Sequence, residues 1–116
     1  MIRPLLSVLV VSLALAVNAQ GSRTDPDTVQ SLRADCRAPP LTARKAACKG
    51  YVTGTADQLA IEGHICPRAA TTPADEVQAF LDWADTNSER WNIPKAAGVL
   101  VSLHQAWRCD ESSRFY

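Results

Sequence analysis

Four cysteines constrain the fold of this 116-residue chain more than any other feature. They are Cys36, Cys48, Cys66 and Cys109, and an even number of cysteines in a small exported chain is typical of disulfides. A zinc site is the alternative, but it favours closely spaced pairs such as Cys-x-x-Cys, which the sequence lacks. We therefore expect two disulfide bonds, no metal site and no cofactor.

The first 19 residues indicate that the chain is exported. A positively charged start at Arg3 precedes an uncharged apolar run over residues 5–17, and small residues follow up to Ala19. This is the three-part pattern of a secretory signal peptide, and the run is shorter than the roughly 20 residues of a membrane span. We predict that residues 1–19 are cleaved. A single domain over residues 20–116 would then remain in the periplasm of a Gram-negative bacterium, without membrane attachment.

The charges nearly balance but are not evenly distributed. Residues 20–50 carry six basic and three acidic side chains, whereas residues 55–89 carry seven acidic side chains and one basic one. A near-neutral chain is a poor candidate for binding nucleic acid. The asymmetry is suited to steering a protein partner or to pairing two copies in a homodimer. The alternative interpretation is a set of solvated helix faces.

Apolar periodicity and helix-ending residues predict four helices and no strand. We place the first from about Pro26 to Cys36, capped by Thr24 or Asp25, and the second from Thr42 to about Ile61. The third begins at Thr72 and ends near Asn87, and the fourth runs from Asn92 to about Trp107. The predicted fold is all-α, a small antiparallel bundle of about four helices joined by short links.

The helix positions select one disulfide pairing. Cys36 ends the first helix and Cys48 lies in the first turns of the second, so a short link keeps them close. Cys48 and Cys66 lie roughly 25 Å apart along a helix that rises 1.5 Å per residue. Disulfide-bonded α-carbons lie within about 7 Å of each other. We therefore predict the bonds Cys36–Cys48 and Cys66–Cys109.

Two glycines interrupt the second helix within the stretch CKGYVTGTAD, residues 48–57. Gly50 and Gly54 are four residues apart, and small residues at this spacing allow a second helix to approach closely. We predict a helix-packing site formed by Gly50, Tyr51, Gly54 and Asp57, with Tyr51 in the core. Asp57 has no second catalytic group at a fixed offset, so we do not interpret it as a general base.

Several short motifs follow one another in a fixed order: Cys48-x-Gly50-Tyr51-x-x-Gly54-x-x-Asp57, Cys66-Pro67, Ile93-Pro94-x-Ala96-Ala97 and a final Cys109. Their order and spacing resemble the Rap/Tai immunity family over about residues 29–109. The resemblance implies a small helical domain that binds and blocks peptidoglycan amidase toxins delivered by type VI secretion. The chain departs from the family where Arg108 replaces a common proline and where Asn87-Ser88-Glu89 replaces His-Pro-Glu.

The link between the third and fourth helices is the predicted partner-binding site. It offers Ser88, Glu89, Arg90 and Trp91 on a projecting turn. Tryptophan and arginine are enriched among the residues that dominate binding energies, and loops often carry function. The alternative interpretation is that Trp91 covers the core.

The function that the resemblance implies is that of a non-catalytic periplasmic protein that neutralises an amidase effector by covering its active site. The sequence has no nucleophile–base pair at a characteristic offset, no metal-ligand spacing and no phosphate-binding loop, so we do not expect an enzyme. Two alternatives remain open: a small periplasmic stress or holdase chaperone of the disulfide-bonded helical type, and an orphan domain without a toxin partner.

Overall fold

The computed structural model describes residues 26–110, and this part of the chain is a bundle of four helices with no strand. The predicted signal peptide, residues 1–19, lies outside the described residues. None of the described helices is long and apolar enough to cross a membrane. The helices are α1 (Val29–Cys36), α2 (Ala43–Ile61), α3 (Pro73–Thr86) and α4 (Lys95–Ala106), and a 3-10 turn, Ser88–Arg90, lies between α3 and α4.

Threonine caps set where the first three helices begin. The hydroxyl oxygens of Thr28, Thr42 and Thr72 accept hydrogen bonds from backbone N–H groups three residues further on. This satisfies one of the donors that every helix start leaves unpaired. The predicted starts of the second and third helices are confirmed. The predicted start of the first helix at Pro26 is wrong, because Thr28 is the cap and residues 26 and 27 form a turn.

The start of α1 is also held by the link that precedes α4. The backbone N–H of Val29 donates to the carbonyl of Ile93 over 3.0 Å, and that of Gln30 donates to the carbonyl of Trp91 over 2.9 Å. In return, the N–H of Lys95 donates to the carbonyl of Asp27 over 2.7 Å. The two helix starts therefore satisfy each other's free backbone groups, although more than 60 residues separate them in sequence.

The core lies where the faces of all four helices meet. Phe80 of α3 is completely buried and is surrounded by buried aliphatic side chains from the other helices. Gly98 allows α4 to approach α1 and α3 closely. A Cβ atom added at Gly98 would overlap Cγ2 of Val29 and lie 3.1 Å from Cζ3 of Trp83. The core cluster consists of Val29, Leu32, Cys36, Cys48, Val52, Ala56, Leu59, Ile65, Val77, Phe80, Leu81, Trp83, Ala84, Val99 and Leu103.

Two disulfides join the helices in the pairing that helix geometry predicts. Cys36 is bonded to Cys48 and links the end of α1 to the first half of α2. Cys66 is bonded to Cys109 and links the α2–α3 connection to the segment after α4. The α-carbons are 5.0 Å apart in both pairs.

The predicted close helix contact at Gly50 and Gly54 is wrong. Both glycines are exposed, and a Cβ atom added at either would meet no atom of another element within 4 Å. The buried side of α2 carries Cys48, Val52, Ala56 and Leu59, so the glycines face outwards.

The other two residues of the predicted packing site have different environments. Tyr51 packs against the edge of the core, and the Lys95 ammonium lies 4.4 Å from its ring centroid. Asp57 is exposed and belongs to no helix contact of this kind. Its charge acts instead on Glu76: burial raises the pKa of Glu76, and the nearby carboxylate of Asp57 raises it further.

The two disulfides should differ in their contribution to stability. The Cys66–Cys109 bond closes a loop with a sequence separation of 43, against 12 for Cys36–Cys48. Chain-entropy estimates give about 4 and about 3 kcal/mol for loops of these sizes. We expect the double variant Cys66→Ser/Cys109→Ser to lose more free energy of unfolding in urea than Cys36→Ser/Cys48→Ser. An equal or reversed order would contradict the entropic explanation.

The outward-facing glycines predict stabilising substitutions. Gly50→Ala and Gly54→Ala should each raise the free energy of unfolding by roughly 0.5–1 kcal/mol, because alanine restricts the unfolded chain and meets no obstacle here. Gly98→Ala is the matched control on α4, where the added methyl group overlaps Val29, and it should destabilise by about 1–3 kcal/mol. Urea denaturation of the three variants measures the expected gain in free energy of unfolding at Gly50 and Gly54 and the expected loss at Gly98.

Candidate functional site

The link between α3 and α4 contains the predicted partner-binding residues, and Trp91 anchors it. The indole Nε1–H donates to the carbonyl of Ala84 over 2.8 Å, and the ring packs partly buried against the core. The guanidinium of Arg33, a residue of α1, lies 4.5 Å from the centroid of the Trp91 ring, a distance typical of a cation–π contact. These contacts agree with the interpretation that Trp91 covers the core.

Hydrogen bonds hold both ends of this link. At the α3 end, the Asn87 side-chain amide donates to the carbonyl of Trp83 over 2.8 Å. At the α4 end, the carbonyls of Trp91 and Ile93 accept the first N–H groups of α1. Within the turn, the N–H of Arg90 donates to the carbonyl of Asn87 over 2.9 Å. The backbone of the turn is therefore fixed from three sides.

The remaining side chains of the turn point to solvent. Ser88, Glu89 and Arg90 are all exposed. The Arg90 guanidinium stands 5.6 Å from the ring centroid of Trp83. The structure thus brings the four predicted residues together as one unit, in which Trp91 is the anchor and the other three form the accessible surface.

Asp85 connects this turn to α1. Its carboxylate accepts a hydrogen bond from Arg33 Nε over 2.7 Å and is also bonded by Arg37. The hydrogen bond from Arg33 holds the pKa of the Asp85 carboxyl below its ordinary value, and the charges of Arg33 and Arg37 add to this effect. Asp85 also orients Arg33, which is the residue that covers the Trp91 ring.

The part of the chain that forms the four helices and their links matches a known protein family. A family model described as Rap1a immunity proteins matches residues 28–109. The chain belongs to the Rap1a immunity protein family. The match begins at Thr28, the cap of α1, and ends at Cys109, the last disulfide cysteine, so it includes every helix of the structure. The comparisons with curated proteins and with solved structures returned no match.

Membership of the Rap1a family indicates a protein that acts by binding, since immunity proteins are generally non-catalytic. Across residues 26–110, no group of three or more histidine, cysteine or acidic side chains is placed to hold a metal ion. Both histidines, His64 and His104, are exposed. The arrangement at the α3–α4 link offers hydrogen-bonding and charged groups on a rigid backbone, which suits recognition of another protein.

Sequence analysis did not identify two groups that support the α3–α4 link of this Rap1a family member. Arg33 of α1 and Arg37, the residue that follows the helix, lie four residues apart, a spacing that could have indicated a shared acidic partner. Trp83 is buried beneath Arg90. The spacing of apolar residues along α3 does not predict that contact. Both groups come from elements outside the turn, so only the packing of the helices shows their role.

The lowered pKa of Asp85 predicts a pH-dependent contribution to stability. Above the ordinary aspartate pKa, the carboxylate is charged in both states and stabilises the fold fully. As the pH falls, the unfolded chain takes up a proton first, and the contribution is lost on passing the lower pKa of the folded state. We expect Asp85→Asn to reduce the free energy of unfolding by roughly 0.5–1 kcal/mol at about pH 7.

The same comparison at about pH 2 should show a smaller difference between Asp85→Asn and the unsubstituted protein than at about pH 7, because the unfolded chain is then protonated at this position. Asp82→Asn is the control on the same helix, because Asp82 bonds to Gln78 and forms no ion pair with an arginine within residues 26–110. Urea denaturation at both pH values provides the measurement. An effect of Asp85→Asn that is as large at about pH 2 as at about pH 7 would rule out the ion pair as its cause.

Proposed function

We propose that this protein neutralises a peptidoglycan amidase effector of type VI secretion in the periplasm of a Gram-negative bacterium. The observation that carries the proposal is the match to Rap1a immunity proteins, which extends over all four helices and both disulfides. Disulfides form in oxidising compartments, and the periplasm is one of them. The sequence pattern of residues 1–19 supports export to it.

Inhibition is proposed to occur by covering the active site of the amidase with the α3–α4 turn. Ser88, Glu89 and Arg90 form the exposed part of this turn, and Trp91 fixes it to the core. A turn whose backbone is already held in one conformation loses little entropy on binding. Such a turn is therefore suited to entering a cleft and excluding substrate from it.

Within the turn, Arg90 is the residue that we propose contributes most to binding. Arginine is among the residue types that dominate interface energies, because its guanidinium forms several hydrogen bonds and also packs on apolar surfaces. Its contact with Trp83 is loose, at 5.6 Å from the ring centroid, so the guanidinium is available to a partner at small cost.

Inhibition of an amidase by the purified protein is the test of this function. The oxidised protein should form a complex with a type VI peptidoglycan amidase effector from its own organism and should block cleavage of purified peptidoglycan. Arg90→Ala should weaken the complex by about 10-fold or more, the level expected for a dominant interface residue. Arg68→Ala is the control, because Arg68 is also exposed but lies in the α2–α3 connection.

The two parts of the proposal fail in different ways. If the unsubstituted protein neither binds nor inhibits the amidase, the immunity function against this effector is wrong. If it inhibits and Arg90→Ala inhibits equally well, the function stands and the assignment of the α3–α4 turn is wrong. Circular dichroism of each variant confirms that the helices are retained.

A further inference from the structure

Leu41 is the most unusual residue on the surface of the described bundle. It lies between Pro40 and the Thr42 cap of α2, and its side chain is fully exposed. Its φ is +65°, and it is the one residue other than glycine with a positive φ between residues 26 and 110. The left-handed region is unfavourable for a leucine, because its Cβ crowds the following carbonyl oxygen. The backbone conformation of Leu41 therefore reduces the stability of the isolated protein, and folding buries none of its side chain to offset that cost.

The usual role of an apolar residue at this position is not fulfilled. A hydrophobic residue directly before a helix cap commonly packs against the fourth residue of the helix. Here that residue is Ala46, and the complete exposure of Leu41 shows that no such packing occurs. Leu41 instead borders a shallow depression between the starts of α2 and α3, which also includes Pro73 and Ala74.

The first turns of α2 carry positive charges where a helix normally carries negative ones. The positive end of the helix dipole favours acidic residues in the first turn. The first turn of α2 has no acid and contains Arg44 and Lys45, and Lys49 follows one turn later. In contrast, α3 has Asp75 and Glu76 in its first turn, and Asp75 completes a capping box with Thr72. The charge of α2 at this end is therefore a feature that folding alone does not favour.

These cations are largely available to a partner. Lys45 donates to the carbonyl of Cys36, a neutral group, and Lys49 is exposed. Neither lysine forms an ion pair with a carboxylate of residues 26–110. Arg44 is bonded to Asp35 over 2.9 Å. The depression beside Leu41 is thus apolar at its centre and positively charged at its edge.

We propose that Leu41, Lys45 and Lys49 form a second docking surface of this protein, which binds an apolar pocket bordered by carboxylates on the amidase effector. This inference rests on the proposed function. Charge complementarity argues for an acidic partner surface, and an exposed leucine is the side chain that such a pocket would bury. An exposed leucine, a strained backbone at that leucine and positive charge at a helix start meet at one place, and binding to an apolar pocket bordered by carboxylates would bury the leucine and pair the charge.

We assign the occupant of this surface to a separate protein and not to a second copy of the chain. Several acids of the described bundle are already engaged within it: Asp85 with Arg33 and Arg37, Asp35 with Arg44, and Asp75 with the N–H of Thr72. The exposed acids Asp57 and Glu89 are the alternative source of carboxylates in a second copy, and sedimentation velocity distinguishes that source from the effector. The two surfaces would act together, with the α3–α4 turn covering the active site and the Leu41 surface holding the complex in place.

The test measures binding of the oxidised protein, and of its Leu41→Ser and Lys49→Glu variants, to the same amidase effector. Leu41→Ser should weaken binding about 10-fold or more by removing a buried leucine from the interface. Lys49→Glu should slow association, and its effect should shrink at high salt. Ile61→Ser and Arg108→Glu are the matched controls. Ile61 is exposed at the other end of α2, about 30 Å along the helix, and Arg108 is near that end too. Both controls should bind as the unsubstituted protein does.

Stability measurements separate the proposed role from a fold defect. Leu41→Gly should raise the melting temperature, because glycine adopts a positive φ without strain, and yet it should weaken binding as Leu41→Ser does. A variant that is more stable but binds less well shows that Leu41 serves binding and not folding.

Each contrary outcome identifies a different error. If the unsubstituted protein does not bind the amidase, both the proposed function and this inference are wrong. If it binds and the Leu41 variants bind equally well, only this inference is wrong. Sedimentation with phosphatidylglycerol vesicles that Leu41→Ser abolishes would identify an anionic membrane as the occupant and overturn the proposal. A dimer in sedimentation velocity that Leu41→Ser dissociates would do the same in favour of a second copy.

Discussion

The backbone hydrogen bonds between the start of α1 and the α3–α4 link are the interaction on which the rest of the structure depends. Val29 and Gln30 donate to carbonyls of the link, and Lys95 donates back to Asp27. These bonds place α1 against α4, where Gly98 leaves the space that Val29 fills. The same bonds hold the backbone of the turn that presents Ser88, Glu89 and Arg90. The same backbone hydrogen bonds therefore position both the core packing of α1 and the exposed residues of the candidate site.

The disulfides and the charged contacts reinforce this arrangement at its edges. A domain of this size buries a limited apolar area, so covalent links contribute a large share of its stability. Cys36–Cys48 holds α1 on α2, and Cys66–Cys109 holds the end of the bundle. Asp85 then joins α3 to Arg33 of α1 and to Arg37 just after that helix, beside the anchored Trp91. Stabilising contacts surround the turn, whereas the Leu41 surface shows the opposite pattern of strain and unpaired charge.

Particular elements show how far sequence reasoning reaches. Thr42 and Thr72 could be identified as caps because the local pattern of threonine, proline and acid specifies a helix start. The helix lengths then excluded Cys48–Cys66 and selected the observed disulfides. The glycine pair failed as a predicted contact because spacing places Gly50 and Gly54 on one face but does not say which neighbour that face meets. Leu41 was missed because its exposure and its positive φ have no local signature.

The sequence by itself determined the helical class, most helix boundaries, the disulfide pairing and the membership of an immunity family, because each of these depends on local pattern or on distance along a helix. Only the tertiary structure decided that Trp91 is an anchor, that Gly98 and not the Gly50–Gly54 pair is the close contact, and that Leu41 is exposed beside Lys45 and Lys49. Those properties depend on which helix faces meet. Which faces meet depends on the fit between residues far apart in sequence, such as Val29 and Gly98, where the missing side chain of the glycine leaves space for the valine.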